Sequence, residues 1–293
     1  MSSLELFSPT NLDDALKFIQ HEDKDVAIIA SGTDLIPRIR KRQVSPSVLV
    51  DISSFQNDLR YIRNSGGVVS LGALTTLTDV LESPLVRDRL SALHEAAELF
   101  GAPQVRNVAT VGGNVCSAAS SEDLIPVFMA LGAQLKLVSA RGERTVPLEG
   151  FFKGKRATKM KPSEILAEVS FELPRGRSWT GFEKLGRRNM LILSLVSMAL
   201  SLSMKEDLQT VSAARIAMNR VSERIPALAV KTQEFLLGQK VSSETIAQAQ
   251  KVLASEIALT SDFRASGPYR TEVAQVYLKR LLLRCSGRIR GSV

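Results

Sequence analysis

The stretch Thr110-Val111-Gly112-Gly113-Asn114, followed nine residues later by Asp123, organises this 293-residue chain. Two adjacent glycines permit backbone torsions, and a closeness to a ligand, that a Cβ forbids. Small and hydroxyl residues follow, Ser117-Ala118-Ala119-Ser120-Ser121, so the segment can wrap a polyanion with backbone N–H groups. It then runs through Glu122 and Asp123 into an apolar segment, Leu124 to Leu131, that reads as a helix.

A second glycine turn lies upstream. Val26-Ala27-Ile28-Ile29-Ala30 reads as a short buried strand, and Ser31-Gly32-Thr33-Asp34 turns it into a helix beginning Leu35-Ile36-Pro37. Ser31, Thr33 or Asp34 is expected to cap that helix, with Pro37 in its first turn. A strand, glycine turn and helix in succession leave N–H groups where a phosphate can sit. Each loop by itself is equally compatible with a plain tight turn, because short glycine motifs are weak signals.

Taken together the loops resemble one family. Ala30-Ser31-Gly32-Thr33-Asp34-Leu35 resembles its first FAD loop, Ala-Gly-Gly-Thr/Gln-Asp/Ser-Leu, with Ser31 in place of a glycine. Thr110-Val111-Gly112-Gly113-Asn114 resembles its second, Thr-Ile-Gly-Gly-Asn, and Arg106-Asn107 before it also matches. The family is the FAD-binding medium subunit of the molybdenum hydroxylases, which includes xanthine, carbon monoxide and nicotinate dehydrogenases and quinoline oxidoreductase. The resemblance runs along essentially the whole chain. Leu148 to Gly154 resembles the family's Phe-Phe-Thr-Gly loop, Glu164 to Pro174 the ending of its FAD domain, Gly181 to Arg188 its Tyr/Phe-x-Lys-x-x-x-Arg run, and Asp262 to Arg270 its Asp-x-Arg-Ala-Ser-x-x-Tyr-Arg segment.

The resemblance implies an α+β fold. A two-lobed FAD-binding domain of the PCMH type is expected over residues 1–175, with lobes of about 1–57 and 58–175. A C-terminal domain of antiparallel strands and helices is expected over 178–293. It implies noncovalent FAD held by Ala30, Ser31, Gly32, Thr33, Asp34, Leu35, Thr110, Val111, Gly112, Gly113, Asn114 and Asp123, with Lys184 approaching the flavin. It implies a molybdenum cofactor on a large partner subunit, [2Fe-2S] clusters on a small one, and no catalytic residue for substrate chemistry on this chain. For three residues a second reading stands beside the implied one. Asp123 can accept from ribose hydroxyls or cap a helix; Lys184 can tune the flavin or face solvent; Arg106 can meet a phosphate or hold its loop through carbonyls.

Composition, at 44% hydrophobic and 23% charged residues, is that expected of an ordinary soluble globular protein. The two cysteines, Cys116 and Cys285, supply neither a disulfide framework nor four cluster ligands, and point to a reducing, cytoplasmic compartment. The N-terminus carries no signal pattern and no apolar run reaches the roughly 18 residues of a membrane span. A net charge of +8 raises the question of nucleic acid. The basic clusters Arg38–Arg42 and Lys153–Lys161 are not interleaved with aromatics, so they read as solvated faces or partner contacts. His94 lies beside the apolar stripe of a helix expected over Leu85–Phe100 and reads as a packing residue.

Along the rest of the chain, the sequence predicts a helix over Leu12–Gln20, a strand over Ser47–Ile52, and a hairpin with strands Leu59–Arg63 and Val68–Gly72. A helix over Thr75–Leu81 and strands Gln134–Val138 and Arg144–Pro147 follow. Beyond a linker at Pro174–Arg177 it predicts paired strands Leu193–Met204 and Leu208–Met218. Three helices close the chain, over Ala227–Leu237, Ser243–Ile257 and to about Leu283. Two rivals remain: a self-contained flavin oxidoreductase, and a basic binding protein whose flavin site has decayed. The substrate of the complex and its electron acceptor are not written in this chain.

Overall fold

The computed structural model describes residues 4–22, 25–187, 193–219, 227–257 and 261–291. Arg188, the last residue of the Gly181–Arg188 run, lies outside them. The first sheet is parallel, with β1 (Glu5–Phe7), β2 (Val26–Ile29) and β3 (Val48–Asp51) in the order β1-β3-β2. Central β3 is an apolar run because Val48, Leu49 and Val50 are all buried. The helix Leu12–His21 starts where the Asn11 side chain accepts from the Asp14 amide, and it buries Ala15, Leu16 and Ile19. The expectation that Val26–Ala30 is fully buried is corrected. All four residues of β2 are half-buried, because β2 is an edge strand whose outer side forms a cleft wall.

The second sheet is antiparallel. It contains β4 (Ile62–Ser65), β5 (Val68–Gly72), β6 (Gln134–Ser139) and β7 (Gly142–Pro147). After the small hairpin β8 (Phe152–Gly154) and β9 (Ala157–Thr158), β10 (Ile165–Glu172) returns to its centre, giving the order β4-β5-β10-β6-β7. The first hairpin is tighter than expected. Asn64 and Ser65 belong to β4, and only Gly66 (φ 60°) and Gly67 (φ 88°) turn, both in the positive-φ region that such a two-residue turn needs. The expected Leu85–Phe100 helix is two helices, Pro84–Arg89 and Ser91–Glu98. They part at buried Leu90 (φ −133°, ψ 57°), whose side chain enters the core while the backbone turns.

The third sheet, β11 (Ser178–Leu185), β12 (Val196–Met204), β13 (Val211–Asn219) and β14 (Ala227–Leu228), is antiparallel in sequence order. Strand β12 separates two faces by size. Met198, Leu200 and Leu202 point to the core beneath the long C-terminal helix, whereas Ala199 joins the core on the other side. The small Ala199 and Ala217 let the helix Leu124–Ala130, buried at every residue, lie against β12 and β13. Sequence alternation therefore reads as one apolar run because both faces are covered. The Ala227–Leu237 helix is shortened to Val230–Leu236, since Ala227 and Leu228 pair with β13. The last helix runs Gly267–Gly291, past the expected end, because Cys285 and Ile289 continue its buried stripe.

Candidate functional site

Both glycine loops open on one cleft of about 540 Å³, between the edge of the first sheet and the helices that cover the second. In the first loop the special torsion falls on Gly32 (φ 72°), where a Cβ would stand 2.7 Å from Ile36 Cγ1. Ser31 is not among the positive-φ residues, so serine is accommodated where the resembling family has glycine. The Gly32 carbonyl accepts from the Ile36 amide at 3.0 Å and opens the helix Leu35–Arg40. Among the described residues, the N–H groups of Ser31, Gly32, Thr33 and Asp34 donate to no protein acceptor.

One expectation is corrected here. Asp34 occupies the N-cap position but its side chain caps nothing. Its carboxylate instead takes Arg156 through two bonds, at 2.5 and 2.9 Å, and lies 3.6 Å from Arg38. Arg156 also donates from Nη1 to the Ser117 carbonyl (3.2 Å) and from its amide to the Ala118 carbonyl (2.8 Å). Arg156, 122 residues from Asp34 in sequence, thereby ties the first loop to the end of the helix Val111–Ser117. Arg38 and Arg156 are consequently not free surface cations, contrary to the reading of both basic clusters as solvated faces.

The second loop is a helix start rather than an open turn. Thr110 is the N-cap of the helix Val111–Ser117, and its hydroxyl accepts from the Gly113 amide at 3.1 Å. Val111 donates to the Thr75 carbonyl (2.9 Å) and Gly112 to the Ala73 carbonyl (2.8 Å). Neither glycine has positive φ. The expectation that N–H groups of this segment wrap a polyanion is corrected for Val111, Gly112 and Gly113, whose N–H groups are already used by the protein. Gly112 is a packing glycine, whose Cβ would meet Ala73 Cβ at 2.7 Å and Ala73 O at 2.8 Å. Gly113 is exposed to the cleft, and among the described residues only Thr110 Oγ1, at 2.9 Å, stands near its missing Cβ. Four amides free to meet an anion stand on the first loop.

Of the residues singled out in the sequence, Ala30, Ser31, Gly32, Thr33, Asp34, Leu35, Thr110, Gly113, Asn114 and Asp123 line the cleft. Val111 and Gly112 lie behind it, buried against Thr75 and Ala73. Lys184 reaches it through Asp123. Its ammonium lies 2.6 Å from Asp123 Oδ2, with side-chain exposures of 5% and 6%, and it also donates to the Leu99 carbonyl at 3.0 Å. The solvent-facing alternative for Lys184 is thus excluded. So is the capping alternative for Asp123, which makes no cap bond to the helix Leu124–Ala130. Arg106 holds its loop, donating to the Phe100 and Gly101 carbonyls at 3.0 Å each, and those residues form the opposite wall.

Two residues, one lining the cleft and one tied to its first loop, were given no role in the site by sequence reasoning. Arg156 lies in a segment where the sequence departs from the resembling family, and its partner Asp34 is remote in sequence. Glu122 lines the cleft and receives hydrogen bonds from Asn114 Nδ2 and Ser117 Oγ. Burial, with the Asp123 and Asp34 carboxylates adding to it, pushes Glu122 up to about 8 against the opposing pull of Ser117 and Arg156. Asn114 Oδ1 is buried with no hydrogen-bond partner among the described residues. A half-open cleft with an apolar strand edge, four free amides at one loop, a glycine surface at the other and an orphaned amide oxygen suits an extended dinucleotide.

Comparison with known proteins agrees. Residues 2–175 match the family model described as the FAD binding domain in molybdopterin dehydrogenase, and residues 181–285 match the CO dehydrogenase flavoprotein C-terminal domain. The chain is 31% identical to the nicotinate dehydrogenase FAD-subunit of Eubacterium barkeri, with 99% of each chain covered. It is 30% identical to the carbon monoxide dehydrogenase medium chain of Hydrogenophaga pseudoflava, covering 95% of each. Among solved structures it superposes on carbon monoxide dehydrogenase from Hydrogenophaga pseudoflava with TM-score 0.91 at 29% identity, covering 98% of each chain. Against quinoline 2-oxidoreductase from Pseudomonas putida 86 the TM-score is 0.90 at 28% identity, again covering 98% of each chain.

Proposed function

The chain belongs to the family of FAD-binding subunits of molybdopterin dehydrogenases, and from that premise we propose that it holds one noncovalent FAD in the cleft between its glycine loops. It is the medium subunit of a molybdenum hydroxylase of the xanthine and carbon monoxide dehydrogenase type, an oxidoreductase component that passes electrons rather than transforming substrate. The observation that carries the reading is the convergence on one cleft of two loops about 80 residues apart in sequence, Ala30–Leu35 and Thr110–Asn114. When bound, FAD accepts electrons delivered within the complex and returns them to an external acceptor.

The residues divide the work. The free amides from Ser31 to Asp34, with Arg38 beside them, suit a diphosphate. Gly113 lets a ligand approach the helix start without a side chain in the way. Arg156 fixes the spacing of the two loops. Lys184 orients the Asp123 carboxylate, which suits ribose hydroxyls, and brings a positive charge to this wall. The FAD-binding unit spans residues 1–175, in lobes of 1–57 and 58–175, and the C-terminal unit spans 178–293.

The partners in this reading are a large subunit carrying the molybdenum cofactor and a small [2Fe-2S] subunit, since two cysteines cannot ligate a cluster here. Cytoplasmic residence fits two unpaired cysteines, and no helix among the described residues is long and apolar enough to cross a membrane. The test is anaerobic flavin bleaching. The purified chain binds FAD, releases all of it on acid denaturation, and is not bleached by purines, aldehydes or N-heteroaromatics. Adding the two partner subunits, with the substrate of their complex, restores bleaching. Bleaching by the chain alone at the rate of the complex refutes the relay, and flavin retained on the precipitated chain refutes noncovalent binding.

A further inference from the structure

Three carboxylates, Asp34, Glu122 and Asp123, meet in the cleft where a dinucleotide diphosphate must bind. Two are neutralised by cations. Asp34 pairs with Arg156 and Arg38, and Asp123 with Lys184. Among the described residues no lysine or arginine pairs with Glu122. Its carboxyl oxygens receive one bond each, from Asn114 Nδ2 and Ser117 Oγ, both neutral donors, while the Asn219 side-chain amide holds its backbone carbonyl. We propose that Glu122 is the proton-holding residue of this cleft, protonated in the FAD-loaded state, so that FAD binding and proton uptake are coupled. The inference rests on the placing of FAD in this cleft.

Electrostatics and hydrogen bonding both point this way. The groups facing Glu122 are Asp123 on its C-terminal side, Asp34 on the first loop, Arg156 held between Asp34 and Ser117, and Asn114 and Ser117 on the helix Val111–Ser117. The nearby cation, Arg156, turns both terminal guanidinium nitrogens, Nη1 and Nη2, to Asp34. In the ligand-free cleft burial already carries Glu122 to about 8. A bound FAD displaces the remaining water from the cleft and adds the negative diphosphate. Both changes disfavour the carboxylate further. The proton has an acceptor waiting. Asn114 Oδ1 is buried and unpartnered, and rotation of the amide by half a turn exchanges Nδ2 for Oδ1 against Glu122. A neutral Glu122 then donates where an ionised one can only accept.

The experiment measures FAD affinity of the full chain from pH 6.5 to 9.5, with calorimetry in buffers of different ionisation enthalpy. Carbon-13 carboxyl NMR of the ligand-free chain gives a readout that needs no FAD. The parent is expected to lose affinity above pH 8, by up to about tenfold per pH unit, with about one proton taken up per FAD at the alkaline end. Glu122→Gln, neutral at every pH, is expected to bind with one affinity across the range and to take up no proton. In NMR the glutamate resonance absent from Glu122→Gln is expected to titrate well above the ordinary carboxylate range. A parent profile as flat as that of Glu122→Gln, or an ordinary titration of that resonance, overturns the inference. Gly113→Val separates the two levels of the argument. If it abolishes FAD binding while the parent profile is flat, only the proton coupling falls; if it binds FAD like the parent, the placing of FAD falls and the coupling with it.

Discussion

Gly112 and Gly113 are neighbours in one motif, yet the structure assigns them opposite jobs, and alanine at each position separates them. At Gly112 a Cβ would stand 2.7 Å from Ala73 Cβ, 2.8 Å from Ala73 O and 3.1 Å from Ala73 Cα. These are backbone and near-backbone atoms, so relief requires the helix Val111–Ser117 to retreat from the chain at Ala73. Overpacking of this kind costs about 1–3 kcal/mol. Retreat also strains the Gly112 amide bond to Ala73 O, which contributes about 1 kcal/mol. The gain in helix propensity on replacing glycine, at most about 1 kcal/mol, offsets part of this. Gly112→Ala is therefore expected to destabilise the chain by about 1–3 kcal/mol. At Gly113 the sole close atom is Thr110 Oγ1, at 2.9 Å, the end of a side chain that can rotate. Losing that cap costs about 1 kcal/mol and the helix gains a similar amount, so stability changes by less than about 1 kcal/mol. The new methyl instead projects into the cleft and weakens FAD binding. Urea unfolding of the FAD-free variants, followed by far-UV circular dichroism, measures the first effect, and flavin titration measures the second. Gly112→Ala as stable as the parent, or Gly113→Ala the less stable of the two with unaltered FAD affinity, would falsify the assignment.

The buried Asp123–Lys184 pair supplies a second expectation. Lys184→Met removes the buried cation that faces Asp123 and is expected to cost about 3–5 kcal/mol, while Lys184→Met with Asp123→Leu costs less than that single change; unfolding free energies in a double-mutant cycle decide, and additive losses would count against a coupled pair. Arg156→Met removes the tie between the loops, and FAD affinity is expected to fall at least tenfold with the unfolding midpoint little changed, because the Arg156 and Asp34 side chains keep 29% and 38% of their surface exposed; an unaltered FAD affinity would show the tie to be dispensable. Stability should also depend on pH through Glu122. Its folded-state value is raised to about 8, so the folded chain holds the extra proton. The contribution is fully present below the ordinary glutamate range and is lost as pH rises through about 8. Glu122→Gln is expected to flatten that decline in unfolding free energy, and an identical decline in the variant would assign it elsewhere.

Much of the fold was legible because it depends on local periodicity and turn chemistry. The glycine pair at 66–67 marks the hairpin, Asn11 marks a helix start, and the run Leu124–Leu131 announces a helix that is buried at every described position from Leu124 to Ala130. The cleft-lining residues were legible for a related reason. A strand–glycine–helix junction carries its torsional requirement in its own letters, and Gly32 at φ 72° meets it.

What the letters could not carry was pairing at a distance. The sequence placed Gly112 and Gly113 together as loop glycines, but only the presence of Ala73 behind one and the open cleft before the other separates their roles. Arg156 read as a surface cation until the β8–β9 hairpin brought it onto Asp34. Lys184 stood as either a flavin neighbour or a solvated strand residue until the third sheet buried it against Asp123. The long apolar reading of β12 likewise hid two faces of different size, because Ala199 and Met198 are equally apolar and differ only in what packs on them. Torsion and amphipathic period are properties of a few consecutive residues, so the sequence determined them directly. Burial, charge partnership and the value at which Glu122 titrates are set by residues tens of positions away, and only the folded chain brings those within a few ångströms.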